Sequence, residues 1–192
     1  MVVWGTRIAI AAGLLVALPP MSGALESTMT MHMLVQIPCL VLSGCILGTH
    51  LASRYQWSMA ALRRFRWALL TLSTGTFAVW MIPRLLDLAV QSGWIDLTKI
   101  ASLVLLGGLP LRLAWLHFGP VARGLLHVEA LASLWRFGWI YLDSPSRLCS
   151  QYALDDQRRL GGLLLLAGAM YAIWLAWRAL GPVDTRHFSP QA

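Results

Sequence analysis

The stretch from Glu26 to Gly48 reads E-S-T-M-T-M-H-M-L-V-Q-I-P-C-L-V-L-S-G-C-I-L-G, and its reading decides the fold class. After Met33 everything in it is apolar apart from Gln36 and small hydroxyl or thiol groups. About 20 such residues carry a helix across hydrocarbon, so the stretch opens a membrane-spanning helix. Its first turns hold Met29, Met31, His32 and Met33, with Glu26 just before them and Cys39 further in. On a regular helix Thr28, His32, Gln36 and Cys39 share one face, and Met29 and Met33 lie one position round. Thioether, thiol and imidazole groups facing a bundle interior are donors that suit monovalent copper. Met29, His32, Met33 and Cys39 are therefore the candidate metal ligands. The same residues also fit plain packing, because Met fills irregular gaps.

Composition agrees with a membrane chain. Of 192 residues, 58% are hydrophobic and 12% charged, against about 25% charged in an average soluble domain. The net charge of +7 does not imply nucleic acid as a partner. The basic residues lie in short loops between apolar segments, which is the pattern of membrane topology. The three cysteines, Cys39, Cys45 and Cys149, make no disulfide framework. Trp4, Trp57, Trp94, Trp139 and Trp177 fall near segment ends, where interfacial anchors sit.

Six segments are expected to span: 2–19, 29–51, 67–88, 100–117, 122–142 and 160–180. They make one all-α, polytopic membrane helix bundle over residues 1–192, with no soluble domain. The first segment is read as a retained helix. Its basic Arg7, apolar core and small residues also fit a cleaved signal peptide, which would leave five helices. With the N-terminus inside, nine basic residues fall on the inner side and Arg84, Lys99, Arg147, Arg158 and Arg159 on the outer. The positive-inside rule then gives an N-in, C-in bundle, and the expected location is the bacterial inner membrane. The Met/His end of the second segment opens on the extracytoplasmic side. Carboxylates lean outward there: Glu26, Asp87, Asp96, Asp143, Asp155 and Asp156.

Ionisable groups inside spans are costly and need partners or a function. Gln36, Asp87, His127, Glu129 and Arg136 are such intramembrane polar groups. Glu129 and Arg136 stand about 10 Å apart along one helix axis, so each is expected to find its partner on another helix, Asp87 suiting Arg136 by depth. A bis-histidine haem needs two imidazoles at matched depth, and the inner histidines His50, His117 and His127 could supply a pair. His127-Val128-Glu129 lacks the i, i+4 spacing of a helical zinc signature. There is no phosphate-cradling glycine loop, no Gly-x-Ser-x-Gly elbow and no Cys-x-x-Cys, so the chain is not expected to be an enzyme.

Two patches together resemble the CtaG-type cytochrome c oxidase assembly factors. One is Met31-His32-Met33-Leu34 followed by Gln36 and Pro38; the other is Asp155-Asp156-Gln157 running into Leu160-Gly161-Gly162-Leu163-Leu164. Leu126-His127-Val128-Glu129 is similar to a His-containing helix of that family. The match covers about a quarter of the chain. The family's second His, one turn after the first, is Gln36 here, and its His-rich partner motif is thinned to His127. The resemblance implies a role in terminal oxidase biogenesis, with copper as cargo and oxidase subunits as partners. Two further readings stand beside it: a non-catalytic accessory subunit of a respiratory or copper-oxygenase complex, and a small b-type cytochrome.

Overall fold

The structure is a computed structural model and describes residues 23, 25–54, 59–149 and 151–180. The first expected segment, with Trp4 and Arg7, lies outside the described residues, as do Trp57 and the tail from 181 onward. Among the described residues the chain is all-helical, with no strand. Six helices follow in order: α1 Met29–Arg54, α2 Met59–Trp80, α3 Pro83–Gln91, α4 Gly93–Leu116, α5 Pro120–Asp143 and α6 Leu154–Leu180. Of these α1, α4 and α6 are long and apolar enough to cross a membrane. The pair Leu62–Trp80 and Pro83–Gln91 passes as a fourth span if counted together.

That pair departs from the straight segment expected over 67–88. The helix stops at Trp80, and α3 leaves at an angle of 71°. Pro83 is the cause. It has no N–H to donate and pushes the preceding residue out of the α region; Ile82 accordingly sits at φ −75°, ψ 116°. Asp87 thus rides on the short bent-off helix α3.

Two other prolines are absorbed without a break. Pro38 and Pro110 lie inside α1 and α4, and each is preceded by a π-helical stretch, His32–Gln36 and Leu103–Gly108. In these the Ile37 amide donates to the His32 carbonyl and the Leu109 amide to the Val104 carbonyl, five residues back. The wider turn relieves the clash of a proline ring with the carbonyl four residues before it. Such bulges also rotate everything beyond them. In α1 the buried face runs through Gln36, Leu40, Gly44 and Gly48, which turns it onto α4.

There the two helices touch backbone to backbone. A Cβ on Gly44 would meet the Gly108 Cα at 2.9 Å, and one on Gly48 the Leu109 carbonyl at 3.0 Å. The Ser73 hydroxyl of α2 donates to the Gly107 carbonyl (2.8 Å), and the Cys45 thiol to that of Gly108 (3.3 Å). The antiparallel hairpin α5/α6 has its own close seam, Gly138 against Gly161 and Gly168 against the Trp135 ring. Small residues at such crossings let helices approach where hydrocarbon supplies no hydrophobic drive. The hairpin meets the α1–α4 group chiefly at the first turn of α1.

Candidate functional site

That first turn is held from both sides. The Thr28 hydroxyl caps α1 by accepting from the Met31 amide at 3.2 Å. Asp156, from the first turn of α6, accepts the Met29 amide at 2.5 Å and the Thr30 hydroxyl at 3.4 Å. An acidic side chain on a helix's free amides is stabilising, so Asp156 staples the hairpin to α1. The neighbouring Gln157 is buried and braces the α5–α6 loop: its Oε1 accepts the Leu148 amide at 2.9 Å, and its Nε2 donates to the Tyr141 carbonyl at 3.3 Å. The Asp-Gln pair that carried the family resemblance is therefore a fastening.

Next to it sits a buried polar cluster centred on Glu26. Its Oε1 accepts the Lys99 ammonium at 2.8 Å and the Gln36 amide at 3.1 Å, and lies 3.9 Å from His32 Nδ1. Lys99 also bonds Asp96 Oδ1, one turn earlier on α4, at 2.7 Å. The Tyr152 hydroxyl donates to the Glu26 carbonyl at 3.1 Å, and its ring lies 6.4 Å from that of His32. Lys99 is fully buried, while the Glu26 and Asp96 side chains keep 10% and 18% of their surface exposed. The ammonium is enclosed and its carboxylates reach toward the end of the bundle. Two carboxylates against one ammonium leave the formal charge negative.

His32 is 1% exposed, and neither ring nitrogen has a hydrogen-bond partner among the described residues. Met29, on the same turn, is wholly buried, packed with Tyr141, Cys149, Tyr152 and Leu160. Met33 is half-buried and touches both this cluster and the one formed by Ile37, Leu40 and Trp80. Met29, His32 and Met33 follow one another along the start of α1, the first two buried and Met33 half-buried beside the lateral groove. Cys39 stands apart from them. It is a half-buried free thiol seven residues on, about 10 Å along the axis, too far to share an ion with His32. No three His, Cys, Asp or Glu side chains converge into a metal-sized group among the described residues.

Cys149 is a second thiol near Met29. Burial, helped by the negative Asp87, pushes it from its usual range up to about 11. Cys149 is buried and packs as a small hydrophobe with Met29, Tyr141, Tyr152 and Leu160. Alkylation of Cys149 at pH 8 in the folded protein is expected about a hundredfold slower than that of a free thiol, the factor its raised pKa implies. A rate matching that of the SDS-unfolded chain would show the thiol to be accessible and ionised.

The remaining polar residues fall elsewhere. Arg136 pairs with Glu129 of its own helix, Nη2 to Oε1 at 2.6 Å, both about two-thirds exposed. The expectation that each finds a partner on another helix is corrected: two extended side chains bridge two helical turns that their backbones cannot. The His127 Nδ1 is hydrogen-bonded to the Tyr171 hydroxyl at 2.5 Å, and its ring is edge-on to Trp115 and Trp174. His50 and His117 stand near the ends of α1 and α4.

Between the hairpin and the α1–α4 group runs a lateral groove. One part, about 640 Å³, is lined by Met33, Phe77, Phe137 and Leu164. The other, about 770 Å³, is flanked by Arg112, His127, Glu129 and Thr74, and the two share Phe77, Ala130, Ser133 and Tyr171.

Sequence reasoning missed the centre of the cluster. Lys99 is the chain's single lysine among fourteen arginines, and that exception was the available signal. No protein-family model matches this chain, and no curated protein or solved structure matches it.

Proposed function

We propose that this is a multi-pass inner-membrane protein that assists assembly or copper loading of a haem–copper terminal oxidase. In this reading the Met29 end of the bundle faces the extracytoplasmic side, and the first expected segment and α5 complete six spans. One observation carries the proposal: a buried imidazole with neither nitrogen hydrogen-bonded among the described residues. A buried polar group without a partner costs about 1–3 kcal/mol, so the site gains from a ligand that completes it. Met29 and Met33 at the start of α1 supply thioethers, which select monovalent copper over harder ions. Glu26, Asp96 and Asp156 at the mouth give a negative field that draws cations. The shell is incomplete, which lets a partner finish the coordination and remove the cargo ion.

The test is copper(I) bound per chain after purification in mild detergent. Near-stoichiometric copper is expected in the wild type and background levels in His32→Ala combined with Met33→Ala. Equal copper in both would defeat the proposal.

A second reading is a non-catalytic accessory subunit. It is favoured by the Lys99 ammonium already lying between Glu26 and Asp96, where it serves as the cluster's own cation. In that case oxidase association survives the double substitution unchanged.

A further inference from the structure

α5 carries charged residues in its middle turns as well as near its ends. It carries Arg123, Glu129, Arg136 and Asp143 over 24 residues and is not among the helices apolar enough to cross on their own. Yet it is packed antiparallel along α6, which is, through Gly138 on Gly161, Trp135 on Gly168 and His127 on Tyr171. Its depth is therefore set by its partner. Glu129 stands about 13 Å and Arg136 about 10 Å from the nearer helix end. Both side chains point outward, 62% and 63% exposed, with Val121, Leu125, Val128 and Trp139 exposed around them. An ion pair turned toward hydrocarbon is expensive, and such groups face protein or water instead.

We infer that the Glu129–Arg136 face of α5, with the groove beside it, receives a transmembrane helix of an unlike membrane protein that carries a carboxylate at mid-membrane depth. Charge argues for the carboxylate: Glu129 and Arg136 balance each other, and the groove they border carries one further cation, Arg112. Symmetry argues against a second copy. Copies in one membrane share their sidedness, so a two-fold axis runs along the membrane normal and equal depths meet. Glu129 would then oppose Glu129, and Arg136 Arg136. The chain's own segment 2–19 offers no acid, and its single charge, Arg7, has the wrong sign. Lipid tails offer no partner at all. The inference rests on the membrane placement proposed above and deepens its partner reading; it does not need the copper cargo.

The experiment places a photo-crosslinking amino acid at Leu125 or Trp139, each about one turn from the pair, in the full chain in native membranes. Leu166 and Ile173, exposed on α6, serve as controls. The expected result is one product of the same mass from both α5 positions and none from the controls. Its crosslinked peptide should lie in a transmembrane segment of another protein, within a turn of Asp or Glu. Glu129→Leu with Arg136→Leu should reduce that product at least tenfold, while the purified variant melts at or above the wild-type temperature and keeps its copper content. A crosslink to lipid only, to a second copy, to segment 2–19 or to a helix without an acid would overturn the inference. So would a product that survives the double substitution, or a fall in its melting temperature, which would assign the pair to internal packing. Wild-type protein without copper would sink the cargo reading alone.

Discussion

Lys99→Met is expected to destabilise the bundle by about 3–5 kcal/mol, the cost of removing one member of a buried ion pair. The Lys99 ammonium is the only cation bonded to the Glu26 and Asp96 side chains among the described residues, at 2.8 and 2.7 Å. Met replaces the volume of the lysine stem, so no cavity confuses the reading. What changes is charge: two carboxylates stay behind, and among the described residues the Glu26 side chain keeps the Gln36 amide, beside a His32 ring that makes no hydrogen bond. Because an apolar or neutral replacement of a whole buried pair is often close to neutral, the triple change Lys99→Met, Glu26→Gln and Asp96→Asn should recover most of the loss. Helix content followed through an SDS titration in detergent gives both numbers. A single variant within about 1 kcal/mol of wild type would show the cluster to be solvated, and would remove the frame that holds His32 in place.

How much of this was legible beforehand divides along the range of the interaction. The periodicity of residues 29–51 put His32 and Gln36 on one face, and both are buried. The local pattern also found α1, α4, α5 and α6. It did not find Glu26–Lys99, because those residues are 73 positions apart and neither carries a mark of the other. The π-helical turns were within reach, since Pro38 and Pro110 announce them; counting 3.6 residues per turn through a proline hid the rotation. At Pro83 the same residue type broke the helix outright, and nothing local separates a proline that widens a turn from one that ends it. The outcome depends on whether neighbouring helices hold both halves in line: α1 and α4 brace each other across Gly44 and Gly108.

That crossing sets the second large effect. Gly44→Val or Gly108→Val is expected to cost about 3 kcal/mol or more, the upper range of overpacking, and to prevent α1 from docking on α4. The reason is what the new Cβ would strike. At Gly44 it collides with the Val104 carbonyl and lies 2.9 Å from the Gly108 Cα and the Leu109 amide; at Gly108 it collides with the Val41 carbonyl. All of these are backbone, and backbone inside a packed helix has no rotamer to escape into. Separating the helices would draw α4 away from α1, and with it Lys99 from Glu26, so the polar cluster should fail along with the seam. Gly75 is the control. It lies mid-helix in α2 with nothing within 4 Å of its Cβ position, and Gly75→Ala should gain about 0.5–1 kcal/mol from helix propensity alone. Thermal unfolding of the three variants in one detergent would separate the cases. If Gly44→Val or Gly108→Val melted like Gly75→Ala, the close approach of α1 and α4 would be wrong, and with it the alignment that brings Lys99 to Glu26 and His32.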